Sequence, residues 1–172
     1  MIDPTAEFPS VNNLRAEAMG EPGKRTFRVV ADCDDGRVII WLEKEQLLQL
    51  AVAVDQLLSN LSDEGSNTTT PRAGINAARG SFEFKAGKLV LSYDDDIGKV
   101  AIDAHDLEFG GEGPPTVRMW SGKSQARAFV DEALSECAAG RPICPLCGKS
   151  VDLSGHRCPR SNGHGLQEIG SL

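Results

Sequence analysis

Two short cysteine-containing turns near the end of the chain constrain its folding more than any other feature. The first reads Cys144-Pro-Leu-Cys147-Gly148 and the second Gly155-His156-Arg157-Cys158-Pro159. Three cysteines and a histidine packed this closely are typical of a structural zinc site with four protein ligands in a tetrahedron. Gly148 can adopt the left-handed conformation that lets backbone N–H groups point at the thiolates. We therefore predict a structural Zn²⁺ ion held by Cys144, Cys147, His156 and Cys158.

Two alternatives apply to this motif. A Cys-x-x-Cys pair can be a redox dithiol, but that chemistry favours a pair at the start of a helix, and here the pair follows the helix-ending residues 140–142. The fourth ligand is also open, because His164 has the spacing of a Cys-x₅-His ligand after Cys158. We favour His156, whose His-x-Cys turn faces the first turn. A site closed by four protein ligands has no room for substrate, so it describes how the tail folds and not what the protein does.

The remaining cysteines, Cys33 and Cys137, are predicted to stay outside the metal site. Cys33 closes a predicted strand and Cys137 falls on the apolar face of a predicted helix. We expect both to be small buried hydrophobic side chains, with a reactive role as the alternative. Unpaired cysteines together with a thiolate metal site fit a reducing, cytoplasmic location.

Length and charge set limits on the rest of the chain. With 172 residues and 40% hydrophobic content, the sequence suits one core domain, residues 1–140, and a zinc-binding tail, residues 141–172. The chain lacks a run of 18 apolar residues and a signal-peptide pattern, so we expect no membrane insertion and no secretion. The net charge is −7, and since the tail carries +2, the core carries −9. An acidic core disfavours nucleic-acid partners.

The first part of the core is predicted to form strands followed by a helix. Glu21-Pro-Gly-Lys24 meets the requirement of a type II turn and joins a strand near Val11–Met19 to one at Thr26–Cys33. Asp34-Asp-Gly36 then turns the chain into Val38–Leu42, whose apolar run suggests burial on both faces. The helix after it carries an apolar stripe made of Leu47, Leu50, Ala51, Val54, Leu57, Leu58 and Leu61.

Residues 62–80 lack periodicity and are rich in Ser, Thr, Asn and Gly, which predicts a mobile linker between two halves of the core. The second half repeats the plan of the first. Its predicted strands are Ser81–Phe84, Lys88–Asp94, Lys99–His105 and Thr116–Trp120, with turns at Ala86-Gly87 and Asp95–Gly98. A helix then runs to about Ala139 and ends at Gly140 and Pro142, and its predicted buried residues are Ala126, Phe129, Val130, Ala133, Leu134 and Cys137.

The two strand-to-helix junctions can be overlaid. Val38–Gln46 matches Val117–Gln125 at a fixed offset of 79, with identical Val, Trp, Lys and Gln residues and with the apolar stripes of the two helices in phase. This predicts two pseudo-symmetric meander-plus-helix units, although any amphipathic strand and helix can be aligned in this way. On either interpretation the fold class is α+β, with two helices on one face of a mainly antiparallel sheet.

The search for catalytic residues is negative. HExxH, GxSxG and GxGxxG motifs are absent, and both Gly-Lys-Ser sequences lack the first glycine of a phosphate-binding loop, which is replaced by Val117 and Ile143. His105 has no companion nucleophile and is expected to be a partly exposed polar residue. The three carboxylates of residues 94–96 suit a solvated turn better than a Ca²⁺ loop. We therefore predict no catalytic residue.

Six segments of the chain carry a further signal: Gly20–Phe27, Leu42–Gln46, Thr116–Trp120, Gln125–Arg127, Gly140–Gly148 and Gly155–Gly163. Together they resemble a family of conserved bacterial proteins of unknown function, and the resemblance covers nearly everything after residue 10. Its tail motif is the most specific part. The family pattern places a histidine at His156 and generally ends soon after Asn162-Gly163, which implies that His156 is the ligand and His164 an addition. The resemblance implies no reaction.

Two functional hypotheses from different classes follow. In the first, the protein is a non-enzymatic adaptor whose acidic core and zinc-binding tail contact a protein partner. In the second, it binds single-stranded nucleic acid, because repeated meander-plus-helix units and zinc knuckles also occur in such proteins. Backbone binding needs a basic groove with aromatic platforms, whereas this core carries −9 and the whole chain has only nine aromatic residues. We favour the adaptor; an enzyme with an unrecognised acidic cleft is a third, weaker alternative.

Overall fold

The computed structural model describes residues 3–61, 78–140, 144–148, 151, 156 and 158–160. Of the predicted linker, residues 62–77 lie outside the described residues, and the next strand already begins at Gly80. A 3-10 turn, Leu107–Phe109, follows the sixth strand. The strands and helices of the described residues are β1 Ala6–Phe8, β2 Asn13–Met19, β3 Thr26–Cys33, β4 Gly36–Leu42, α1 Lys44–Asn60, β5 Gly80–Asp94, β6 Lys99–Asp106, β7 Val117–Gly122 and α2 Lys123–Ala138.

The strands form one mainly antiparallel sheet, in the order β1-β7-β6-β5-β4-β3-β2. Two neighbouring pairs are parallel, β4 with β5 and β1 with β7. The predicted α+β class is confirmed. Strand β1 has no counterpart in the sequence-based prediction, because three residues are too short to show a periodic pattern.

The two edge strands of this sheet, β1 and β2, follow each other in the chain. The five Cα steps from Phe8 to Asn13 reach at most about 18 Å, whereas six spacings of a flat sheet would need about 29 Å. Adjacent residues bridge the two ends: the Val11 N–H donates to the Trp120 carbonyl of β7 at 2.9 Å, and the Asn12 N–H donates to the Asp32 carbonyl of β3 at 2.7 Å. The sheet therefore curls enough to bring its two edge strands within reach of this short connection.

Strand β5 differs from the prediction. It runs without a turn from Gly80 to Asp94; its first part pairs parallel with β4 and its second part antiparallel with β6. The predicted hairpin turn at Ala86-Gly87 is wrong, because the register shifts there by a β-bulge while the strand continues. A glycine in a strand suits a bulge as well as a turn, so the local sequence does not distinguish them. The predicted turn before Lys99 is confirmed by the hydrogen bond from Gly98 N–H to Asp94 O, 2.9 Å long.

The core lies between one face of the sheet and both helices, which pack against each other. Alternate residues of the longer strands point into it, and β4 is buried mainly on this face, contrary to the expected burial on both. Leu134 was predicted to be buried, but it is 38% exposed. The helix residues that are buried in the core are Leu47, Leu50, Ala51, Val54, Leu58, Ala126, Phe129, Val130, Ala133 and Cys137.

The residues matched at an offset of 79 make equivalent contacts in the two halves. Trp41 Nε1 donates to Glu83 of β5 at 2.8 Å, and Trp120 Nε1 donates to Glu7 of β1 at 2.6 Å. Gln46 accepts from the Glu43 N–H at the start of α1 and donates to the Ala86 carbonyl. Its counterpart Gln125 accepts from the Gly122 N–H at the start of α2 and donates to the carbonyls of Val11 and Asn12. These contacts support the interpretation of the core as two pseudo-symmetric units.

The opposite face of the sheet carries ion pairs, and one of them is buried. Arg118 of β7 donates from Nε and Nη2 to the two carboxylate oxygens of Asp103 on β6, each at 2.6 Å, and their side chains are only 4% and 12% exposed.

Burial and nearby Lys88 hold the pKa of His105 below its usual value. His105 was expected to be partly exposed, but it is buried because β6 lies between two other strands.

Candidate metal centre

Three thiols and one imidazole converge after α2. The ligand atoms of Cys144, Cys147, His156 and Cys158 all lie within 4.8 Å of one another. The sulfurs of Cys144 and Cys158 are 3.7 Å apart, and Cys147 Sγ lies 3.2 Å from His156 Nε2. These four side chains lie close enough to bind a metal ion.

The first cysteine turn brings backbone N–H groups to a thiol. The chain reverses through a hydrogen bond from the Gly148 N–H to the Cys144 carbonyl, 2.9 Å long, and Gly148 has a φ of 68°. A residue with a Cβ atom is strained in this left-handed conformation, which explains the glycine. The pKa of the Cys144 thiol lies below its usual value because the N–H groups of Cys147 and Leu146 donate to its sulfur. The turn therefore favours the thiolate, the form that binds metals.

The second turn supplies the other two ligands and is tied to the first. Arg160 Nη1 donates to the Leu146 carbonyl at 3.4 Å. A tetrahedral zinc ion with bonds of about 2.3 Å to sulfur and about 2.0 Å to nitrogen would separate its ligands by about 3.8 Å for two sulfurs and about 3.5 Å for sulfur and nitrogen. The observed separations, 3.7 Å between the sulfurs of Cys144 and Cys158 and 3.2 Å between Cys147 Sγ and His156 Nε2, are within a few tenths of an ångström of these values. The donor set and these two distances therefore fit a tetrahedral ion.

Four protein ligands would complete a tetrahedron and leave no open position for water or substrate. Within the described residues, no other group of three or more His, Cys, Asp or Glu side chains is close enough to hold an ion. The Asp94 carboxylate instead accepts from the N–H groups of Asp96 and Ile97, as expected for a solvated turn. The arrangement suits a structural metal site.

The other two cysteines lie away from this centre. Burial, with the carboxylates of Asp32 and Asp34, raises the pKa of the Cys33 thiol to about 11. Cys137 is buried on α2, and burial raises the pKa of its thiol as well. Raised pKa values disfavour the reactive thiolate. Cys137 is buried as predicted, whereas Cys33 is only partly buried. The alternative ligand His164 lies outside the described residues.

Deleting residues 141–172 is expected to leave a domain that still unfolds cooperatively. The hydrophobic core cluster of the described residues extends from Ala6 to Cys137, so the deletion removes none of its side chains. Thermal melts followed by circular dichroism test this, with the full chain measured with and without a chelator. We expect the main transition to survive both changes. Loss of the whole transition on chelation would show that the metal centre is needed to fold the core.

Comparisons with known proteins place the chain in a family without an assigned activity. Neither a curated protein nor a solved structure matches it. No helix of the described residues is long and apolar enough to cross a membrane. A family profile described as "Protein of unknown function (DUF3090)" matches residues 6–158, a range that includes the sheet, both helices and all four candidate metal ligands. The chain belongs to the DUF3090 family.

Proposed function

We propose that the protein binds one structural Zn²⁺ ion through Cys144, Cys147, His156 and Cys158, and that it acts as a non-enzymatic adaptor for a protein partner. The observation that carries the first part is the convergence of these ligand atoms within 4.8 Å. Sulfur-rich sites with one imidazole favour Zn²⁺ over Mg²⁺ or Ca²⁺, which prefer oxygen ligands. Thiolate ligands persist in a reducing compartment, so we also propose a cytoplasmic location.

Exposed apolar side chains on fixed turns support the adaptor role. Leu146 lies between two metal ligands and is 55% exposed, and Phe109 is 74% exposed. Phe109 belongs to a 3-10 turn that is held by the Asp106 carboxylate, which accepts from the Glu108 N–H, and by Gly110 in the left-handed conformation. An aromatic side chain held out from a rigid turn is a typical anchor of protein interfaces.

The alternative function, binding of single-stranded nucleic acid, receives less support from the charge distribution. Trp41 lies beneath the Arg28 guanidinium, 5.4 Å from ring centre to cation, on a sheet face that also carries Arg15 and Arg37. Each of these arginines is paired with a carboxylate, from Glu17 or Asp32. Paired guanidinium groups on an acidic protein attract phosphates weakly.

Fluorescence anisotropy with labelled single-stranded DNA and RNA tests the choice between the two functions. For the zinc-loaded full chain at physiological salt, we expect no binding in the micromolar range. Few phosphates would be neutralised, and the acidic chain, whose formal net charge is −7 before the metal and its thiolates are counted, repels the polyanion. A matched variant with Arg141, Lys149, Arg157 and Arg160 replaced by alanine should behave like the wild type. Tight binding that weakens with salt and is lost in this variant would reject the adaptor and support the alternative.

A further inference from the structure

The two halves of the core differ in whether a helix side chain covers the unpaired edge of their first strand. In the first half, the edge strand is β2, and α2 covers its edge. The carboxylate of Glu132 accepts from the Ala16 N–H at 2.9 Å, and the side chains of Leu14 and Ala16 are buried. A helix side chain thus satisfies an edge N–H group that would otherwise be open to another strand.

In the second half, the equivalent edge is the later part of β5. Leu89 and Leu91 lie opposite Ala104 and Ile102 of β6, just as Leu14 and Ala16 lie opposite Ala31 and Val29 of β3. Strand β4 pairs with β5 only as far as Lys85, so it does not cover this part.

The backbone groups of Leu89 and Leu91 point toward this open edge. In β6 the Asp106 N–H points toward β7, where it donates to Thr116 Oγ1 at 3.0 Å. Because N–H groups alternate between the two sides of a strand, the odd-numbered residues of β6 hydrogen-bond to β5, and they pair with its even-numbered residues. Leu89 and Leu91 therefore direct their N–H and C=O groups away from β6. Within the described part of the chain, no loop or side chain is hydrogen-bonded to these groups.

On α1, the position equivalent to Glu132 is an alanine, which has no carboxylate to accept from an N–H group of the β5 edge. At the offset of 79 that relates the two halves, Glu132 of α2 corresponds to Ala53 of α1. Ala53 and Leu50 form one side of a groove of about 320 Å³, and Gly87, Leu89 and Leu91 of β5 form the other. The groove is present where the other half has a capping carboxylate, and no charged residue lines it.

The two ends of the groove differ in chemistry. At one end the 3-10 turn packs against Gly87, where Leu107 is 52% exposed and Phe109 is 74% exposed. Beyond the other end, the turn after Tyr93 carries the exposed carboxylates of Asp95 and Asp96. An occupant that follows the β5 edge would meet apolar side chains of the 3-10 turn at one end. At the other end it would meet these carboxylates, next to the Lys123 ammonium that lies 5.3 Å from the centre of the Tyr93 ring.

We propose that the β5 edge binds an extended segment of a partner protein by strand addition. This inference rests on the proposed adaptor function and names its docking site. The backbone of the segment would pair with the open N–H and C=O groups of Leu89 and Leu91, and an apolar side chain would fill the groove against Leu50. A bulky apolar residue would contact Phe109, and a lysine or arginine at the opposite end would face the acidic turn.

A display library of random twelve-residue peptides, selected on the zinc-loaded full chain, tests the proposal. We expect enriched peptides with alternating apolar residues and a basic residue at one end. Ala53→Glu introduces the carboxylate that the other half has at this position. It should weaken the binding of these peptides about tenfold or more, because the N–H group at the β5 edge gains a hydrogen-bond partner within the chain. Val52→Glu is the matched control: it adds the same charge one residue away, at a position that is 42% exposed and outside the groove, and should leave binding unchanged.

Hydrogen exchange of the wild-type chain provides a readout that needs no variant. Bound peptide should slow exchange of the Leu89 and Leu91 amides and leave the Ala16 amide unchanged. Two results would reject the β5 edge as the docking site while leaving the adaptor function standing. One is enriched peptides that bind the Ala53→Glu variant as tightly as the wild type, and the other is a library without enriched peptides. Analytical ultracentrifugation tests a second copy of the chain as the occupant. If the wild type dimerises and the Ala53→Glu variant is monomeric, the proposal of a different partner protein is overturned. Failure of the adaptor function itself would appear separately, as salt-sensitive nucleic-acid binding.

Discussion

Replacing Cys144 by serine is expected to abolish zinc binding. The substitution removes one thiolate from a site of three, and with it both charge and tetrahedral geometry. Cys144 is also the ligand whose sulfur accepts the N–H groups of the first turn. Native mass spectrometry of the purified protein should find one zinc ion per wild-type chain and none in Cys144→Ser, and Cys158→Ser and His156→Ala should lose the ion as well.

Two controls make this result specific. Cys33→Ser removes a thiol that lies outside the cluster, so it should keep the full zinc content. His164→Ala should also keep it, because His156 already completes the four ligands. Loss of zinc from His164→Ala together with retention in His156→Ala would show that the ligand assignment is wrong.

The second large effect is expected at the buried ion pair between β6 and β7. Asp103→Ala removes the bidentate partner of a guanidinium whose side chain is 4% exposed, and breaking a buried pair in this way costs about 3 kcal/mol of unfolding free energy. Urea denaturation followed by tryptophan fluorescence would measure the loss. The double variant Asp103→Leu with Arg118→Met should recover much of it, because no buried charge is then left without its partner.

An exposed ion pair is the matched control for this prediction. Asp55 lies 3.7 Å from Arg127, and both side chains are more than half exposed. Asp55→Ala should therefore change the unfolding free energy by about 0.5 kcal/mol or less. A loss of similar size in Asp55→Ala and Asp103→Ala would mean that burial does not strengthen the Arg118 pair.

Local features of this fold could be predicted from the sequence. The type II turn is present, with Gly23 at a φ of 92° and a hydrogen bond from the Lys24 N–H to the Glu21 carbonyl. Each helix begins three residues before its apolar stripe, α1 at Lys44 before Leu47 and α2 at Lys123 before Ala126. The offset of 79 also proved informative, because Trp and Gln at the overlaid positions make specific hydrogen bonds in both halves.

Long-range pairings could not be predicted in the same way. The parallel pairing of β1 with β7 joins Ala6 to Val117, and nothing within either segment encodes the other. Gly87 fits a bulge and a hairpin turn equally well, so the continuity of β5 depends on which strands flank it. The burial of His105 depends on the same strand order. The four candidate ligands were predictable because their spacing along the chain is itself the signal. The importance of Ala53, in contrast, is recognised only when the two halves are overlaid and Ala53 is compared with Glu132.

Zinc K-edge X-ray absorption on the purified full chain tests the central claim, a closed structural zinc site, most directly. The predicted first shell has three sulfurs at about 2.3 Å and one nitrogen at about 2.0 Å, with four ligands in total. A first shell with fewer than three sulfurs, or one without the outer-shell scattering of an imidazole, would contradict the account, because these four side chains would then not be the ligands that close the site.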